Sequence, residues 1–168
     1  MFPIFVGLGS NLGDRLNFLQ RGMEELERLP ETRIHEHSSV YHTEPVGMKD
    51  QPEFLNMVAA VESALPAAEF FQGLKTIERL LGRKQTMRWG PREIDLDVLY
   101  FGGLVLNEPN LRIPHPEIAN RRFVLIPLEE IARDFLDPVR NLTVAELLQA
   151  CTDTSAVRKS SLTLSLHA

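Results

Sequence analysis

Short apolar runs and two amphipathic stretches follow one another in the order β-α-β-β-α-β, which predicts an α+β fold. That order is the split βαβ, ferredoxin-like arrangement: a mostly antiparallel sheet with both helices on one face, here followed by C-terminal additions. Three observations support it. Leu12, Leu16, Leu19, Met23 and Leu26 recur at helical spacing, and so do Phe70, Leu74, Ile77 and Leu81. The apolar runs around them have strand length and end at Gly, Pro or Asn. With both helices on one face, the opposite face of the sheet is free for a ligand.

Ile4 to Leu8 is the first strand. The Gly7-Leu8-Gly9-Ser10-Asn11-Leu12-Gly13 stretch misses G-x-G-x-x-G spacing by one place, so it is expected to be a turn rather than a dinucleotide loop. The first helix ends at Pro30. Ile34 to Tyr41 and Phe54 to Glu62 are the next strands, joined by an irregular link from Thr43 to Pro52. Pro66 opens the second helix, and Gly82 stands where a C-terminal glycine cap belongs. Ile94 to Phe101 is the last core strand, and Gly102-Gly103 is expected to turn it into a hairpin with Leu104-Val105-Leu106. After a loop with Pro109 and Pro114, helical pieces are expected near Val124 to Ala132 and Thr143 to Gln149. The Ser/Thr-rich tail from Thr152 is either disordered or adds a strand at Leu162 to Leu166.

A chain of 168 residues with 43% hydrophobic content suits one domain with a real core. Lys+Arg 18 against Asp+Glu 23, a net charge of −5, argues against a general nucleic-acid or anionic-membrane surface. The single Cys151 makes no internal disulfide, and Met1-Phe2-Pro3-Ile4 lacks the layout of a signal peptide. Those two features make the cytoplasm the expected location, and since no apolar run approaches the roughly 20 residues of a membrane span the chain is expected to be soluble. A P-loop is excluded because no G-x-x-x-x-G-K-[ST] occurs.

The chemistry concentrates around Asp95-Leu96-Asp97. On a strand these carboxylates point the same way, about 7 Å apart at Cα from two rises of roughly 3.3 Å. Mg²⁺ is usually held by one or two carboxylates plus substrate phosphates. Alternation puts Asp95, Asp97, Leu99 and Phe101 on one face and Ile94, Leu96, Val98 and Tyr100 on the other, as in a strand buried on both sides. Paired acids there repel unless a cation, or salt bridges to Arg88 or Arg92, neutralise them. The stretch Gly82 to Arg92 is basic, acid-free and contains Trp89, which fits a lid over a polyphosphate better than a solvated loop. Phe54 and Asn56 share a strand face and together suit a flat heterocycle, although a core phenylalanine and a satisfied asparagine are the bland alternative. His115, between Pro114 and Pro116, has a restricted backbone and either donates to a phosphate or caps a turn. His35 and His37 are expected to be solvated.

Together these residues resemble the 6-hydroxymethyl-7,8-dihydropterin pyrophosphokinase family of folate biosynthesis. The resemblance runs through Gly9-Ser10-Asn11, Asp50 to Asn56, the R-W-G-P-R-E-I-D-L-D block from Arg88 to Asp97, Pro114-His115-Pro116 and Asn120-Arg121-Arg122-Phe123. It covers roughly residues 4 to 132, within a single pyrophosphokinase domain taken as 1–150 with 151–168 as a tail. It implies transfer of the terminal diphosphate of ATP to the pterin hydroxymethyl oxygen, releasing AMP, with two Mg²⁺ held by Asp95 and Asp97 and no separate base required. It implies a catalytic grip on the triphosphate by Arg83 and Arg92, with Glu78, Arg88, Trp89, His115 and Arg121 also lining the nucleotide site. For the pterin it implies stacking on Phe54 and Phe123, edge hydrogen bonds from Asn56 and Thr43, and backbone contacts near Val46. The family resemblance also implies a monomer. Three positions depart from the family pattern: Gln85 for a frequent arginine, Arg112 for a small hydroxyl residue, and Phe54 for a frequent tyrosine.

Two other classes fit parts of the pattern, namely a non-catalytic ligand-binding module and a two-metal phosphohydrolase. The loop arginines separate transition-state action from simple anchoring. Arg83→Ala or Arg92→Ala is expected to lower kcat far more than it weakens nucleotide binding in a titration, whereas equal losses would indicate anchoring alone.

Overall fold

The computed structural model describes residues 3–45, 50–82 and 93–165. The first strand, β1 (Ile4–Ser10), is followed by helix α1 (Arg15–Arg28), which Asp14 caps by accepting the Asn17 N–H at 3.2 Å. Leu12 therefore lies before the helix. Strands β2 (Thr32–His37), β3 (Tyr41–Thr43) and β4 (Phe54–Ser63) lead to helix α2 (Ala67–Leu80) and strand β5 (Asp95–Phe101). Gly82 closes α2 at φ +89°, a conformation that suits glycine, with its N–H bonded to the Arg79 carbonyl at 3.1 Å.

The main sheet has the order β5-β1-β4-β3, with β2 also paired to β4, and every pairing is antiparallel. This is the expected ferredoxin-like order. The expected strand Ile34 to Tyr41 is broken into β2 and β3. Ser38 makes the break: its backbone N–H donates to the Val58 carbonyl at 2.8 Å, while its hydroxyl accepts the Val58 N–H at 2.9 Å. A side chain there replaces ladder partners, and both pieces still run along β4.

The expected hairpin between β5 and Leu104-Val105-Leu106 does not form. Instead β6 (Leu106–Glu108) pairs with β7 (Leu111–Ile113) in a separate two-stranded sheet. One side of β5 is taken by β1, and its outer edge is met by other groups: Glu78 accepts the Leu96 N–H at 2.8 Å, and the His115 N–H reaches the Leu99 carbonyl at 3.0 Å. Helices α3 (Arg122–Ala132) and α4 (Val144–Ala150) follow, the latter opened by a Thr143/Glu146 capping box. The last strand, β8 (Val157–Lys159), pairs with β3; the added strand thus lies before the Leu162–Leu166 stretch suggested by sequence.

Two cores flank the sheet. Leu19, Met23 and Leu26 of α1 and Phe70, Leu74 and Ile77 of α2 pack on Ile4, Val6, Leu8, Leu96 and Val98. Each fully buried side chain of this kind contributes about 1.5–3 kcal/mol. The opposite face is not open throughout, because α3 and α4 bring Leu125, Leu128, Val144 and Leu147 onto Phe5, Val58, Ala60, Leu99 and Tyr100. No helix among the described residues is long and apolar enough to cross a membrane.

Strict alternation along β5 also fails at one point. Val6 faces Val98 but Phe5 faces Tyr100, so Leu99 is an extra residue in a β-bulge. Asp95, Asp97 and Leu99 share a face as expected. Beyond the bulge, Tyr100 joins that face, packing against Phe5 and Phe135, while Phe101 turns to the helices and meets the Phe70 ring at 5.9 Å.

Candidate active site

The end of the second face that α3 and α4 leave uncovered is a cavity of about 290 Å³. Its floor comes from two glycines. Gly7 and Gly9 lie on the cavity face of β1, opposite Asp97 and Asp95 on one side and Val58 and Asn56 on the other. Further along the same face Phe5 and Tyr100 supply bulk for α3 and α4 to pack on; at the glycines there is no side chain, and the neighbouring Leu99, Asn56 and Phe54 side chains lie close over the backbone. The glycine stretch is thus strand through Ser10, not the expected turn. Glycines two apart in a strand are a sequence signal for such a floor.

Asp95 and Asp97 both line the cavity from β5. Burial, then the neighbouring Asp95 charge, pushes the Asp97 carboxyl up to about 7, while Lys75 and Arg121 pull the other way. Glu78 is buried on α2 and does not join the cavity lining. From the edge of β5 its carboxylate holds the Leu96 N–H, between the two acids, and pairs with Lys75 at 3.1 Å. It supports the strand carrying the acids from outside the cavity.

Across the floor, Thr43, Phe54 and Asn56 form the second wall. The Asn56 amide donates to the Thr43 hydroxyl at 2.6 Å. That leaves the Thr43 O–H and the Asn56 carbonyl oxygen available to a donor-and-acceptor edge. Asn11, buried just beyond β1, donates to the Gln51 side chain at 2.9 Å and the Pro52 carbonyl at 3.1 Å, fixing the approach to Phe54. Phe123 and Arg121 close the third side at the start of α3, the guanidinium lying 5.6 Å over the Phe123 ring.

His115 completes the lining. Burial, then the Arg121 charge, pulls its imidazole down to about 4, so it is neutral at pH 7. Its Nδ1 accepts the Glu117 N–H at 3.1 Å, which places the remaining proton on Nε2. The turn-capping reading of this histidine holds at Nδ1, and Nε2 carries the remaining proton.

The cavity thus gathers Asp95, Asp97, Thr43, Phe54, Asn56, His115, Arg121 and Phe123 from distant parts of the chain. Glu44, Gly7 and Gly9 line it too, although the sequence reading gave none of them a site role. Val46, Arg83, Gln85, Arg88, Trp89 and Arg92 lie outside the described residues. Arg112 is exposed on β7.

Residues 5–133 match the family described as 7,8-dihydro-6-hydroxymethylpterin-pyrophosphokinase (HPPK). The chain belongs to the HPPK family. Its activity is accordingly pyrophosphoryl transfer to hydroxymethyldihydropterin in folate biosynthesis. Among curated HPPK relatives, the 2-amino-4-hydroxy-6-hydroxymethyldihydropteridine pyrophosphokinase of Pseudomonas aeruginosa is 43% identical over 149 residues, covering 88% of this chain and 91% of the relative. The Bacillus subtilis enzyme of the same name is 40% identical over 129 residues, covering 77% of each chain. Among solved structures, a Plasmodium falciparum HPPK-DHPS triple mutant with pteroate superposes with a TM-score of 0.70 at 16% identity, which shows the shared HPPK fold. That match covers 88% of this chain but 43% of the larger one, so the chain spans less than half of it.

Proposed function

We propose that ATP, with two Mg²⁺, occupies the Asp95–Asp97 side of the cavity and that 6-hydroxymethyl-7,8-dihydropterin occupies the Phe54–Asn56 side. The observation that carries this reading is that acids and heterocycle-binding groups open into one cavity. The two acids suit Mg²⁺: they share a face, and burial together with their mutual repulsion disfavours their joint ionisation without a cation. Two carboxylates leave most of an octahedral sphere to phosphates and water. Mg²⁺ there would neutralise the phosphates and lower the pKa of the pterin hydroxyl.

The protein's own residues supply the rest. Asn56 and Thr43 orient the pterin edge, while Phe54 and Phe123 offer ring faces. His115 donates from neutral Nε2 without adding charge, and Arg121 brings a fixed cation toward the phosphates. By resemblance to the family, Arg83 and Arg92 act on the triphosphate and Arg88 and Trp89 belong to the nucleotide site. Residues 1–150 act as the catalytic domain. A cytoplasmic monomer goes with this reading: the family resemblance implies a monomer, and a lone cysteine suits a reducing compartment.

AMP formation in the presence of ATP, Mg²⁺ and hydroxymethyldihydropterin tests the reading. AMP that appears only when the pterin is present supports it; a binding module forms none, and a hydrolase forms it without pterin.

The acid pair also sets a pH dependence. The folded-state pKa of Asp97, about 7, lies above its ordinary value of 3.8, so the folded protein holds this proton more tightly than the unfolded chain. Stability from this group is therefore full below about 4 and declines as pH rises to about 7. Without divalent cations, Asp97→Asn is expected to melt roughly 3 °C or more above the parent at pH 8, with a smaller gap at pH 5. Thermal melts at the two pH values check it; a gap independent of pH would contradict burial of the charge.

A further inference from the structure

Two walls of the cavity, and the residue before Phe54, are hydrogen-bonded to one segment, residues 153–158, which lies beyond the family match at residues 5–133. The first wall is the end of β3: Thr43 is in register with Val157, and Glu44 is held twice by Ala156. The Glu44 N–H donates to the Ala156 carbonyl at 3.3 Å, and the Ala156 N–H donates to the Glu44 carboxylate at 2.7 Å. The second wall is the start of α3. Arg122, between the cavity residues Arg121 and Phe123, gives its N–H to the Asp153 carboxylate at 2.9 Å and its guanidinium to the Ser155 carbonyl at 3.1 Å. Asp153 is itself fixed by the Ser155 N–H at 2.9 Å and the Ser155 hydroxyl at 2.5 Å. The third contact reaches the residue before Phe54, where Arg158 pairs with Glu53 at 3.0 Å.

We propose that residues 153–158 are a clasp that positions the pterin side of the cavity by tying the Thr43–Glu44, Glu53–Phe54 and Arg122–Phe123 segments to one another. Among the described residues its hydrogen bonds run to β3, to Glu53 before β4, and to Arg122 at the start of α3; none of these bonds reaches Asp95 or Asp97, which sit at the far edge of the sheet. Its residues are positioning residues and not catalytic ones. Loosening it therefore lets the heterocycle walls move apart while the phosphate end keeps its geometry. The inference rests on the assignment of the pterin to the Phe54–Asn56 side.

The test uses the full chain with Asp153→Ala, which removes the acceptor for Arg122, and separately Ala156→Pro, which removes the donor to Glu44 at an exposed position. Titration with hydroxymethylpterin and with a non-hydrolysable ATP analogue plus Mg²⁺ gives the two affinities, and steady-state kinetics gives kcat. In each variant the pterin Kd is expected to rise about tenfold, with the nucleotide Kd within about twofold and kcat at saturating pterin retained. Unchanged pterin affinity in both variants overturns the clasp. So does a parallel weakening of both ligands in step with a lowered Tm, which marks general destabilisation. Asn56→Ala serves as the control on the assignment itself. If Asn56→Ala leaves pterin affinity intact, the assignment fails and the clasp falls with it; if it weakens the pterin while both clasp variants do not, only the clasp fails.

Discussion

Asp95→Ala and Asp97→Ala are each expected to lower pterin-dependent AMP formation by about a thousandfold or more while the protein still folds. The size follows from the arrangement. The two carboxylates face one cavity from successive cavity-facing positions of β5 and are the acids to which the proposed reading gives the cations. The strand itself is held by other groups: β1 on one edge, and Glu78 and the His115 N–H on the other. Neither aspartate packs in either apolar core, so alanine opens no core cavity, and at Asp97 it relieves the desolvated charge. AMP assays beside a thermal melt measure both halves of the expectation. Near-normal turnover in both folded variants would falsify the metal assignment.

Gly9→Ala is expected to weaken pterin binding about a hundredfold through a single methyl group. A Cβ at Gly9 would stand 2.5 Å from the Asn56 carbonyl oxygen and 3.6 Å from the Phe54 ring. The first distance is far inside van der Waals contact, so the amide must leave its place, and with it the 2.6 Å bond to Thr43. Gly7→Ala is the matched comparison. Its Cβ meets the Leu99 side chain at 3.5 Å, an ordinary contact, so its effect on pterin binding is expected to be much smaller. Both positions lie on the same strand face, so a general loss of β1 packing would affect them alike. Calorimetric titration of each variant with the pterin distinguishes the cases; equal losses, or none at Gly9, would remove the steric account.

Much of the site was legible before any tertiary contact was known, because its residues sit in short local blocks. Asp95 and Asp97 share a face by strand geometry alone, as do Phe54 and Asn56. The two helices and the order of the core strands followed from apolar periodicity, since α1 and α2 each bury one stripe on the sheet. The misreadings arise where a non-local partner overrides a local pattern. Ser38 exchanges hydrogen bonds with Val58 and breaks one expected strand into two. The bulge at Leu99, set by pairing with Phe5 and Val6, sends Tyr100 to the face that alternation denies it.

By itself the sequence determined which side chains have the chemistry suited to phosphate, cation and heterocycle, and for Asp95, Asp97, Phe54 and Asn56 which of them share a strand face. These are properties of residue type and of a two-residue repeat, so they need no neighbour. Only the tertiary structure decided that these groups meet in one cavity, that Gly7 and Gly9 keep its floor clear, and that the tail ties its walls together. Those outcomes depend on pairing between segments dozens of residues apart, where register, bulges and edge hydrogen bonds arise from the partner and not from the local chain.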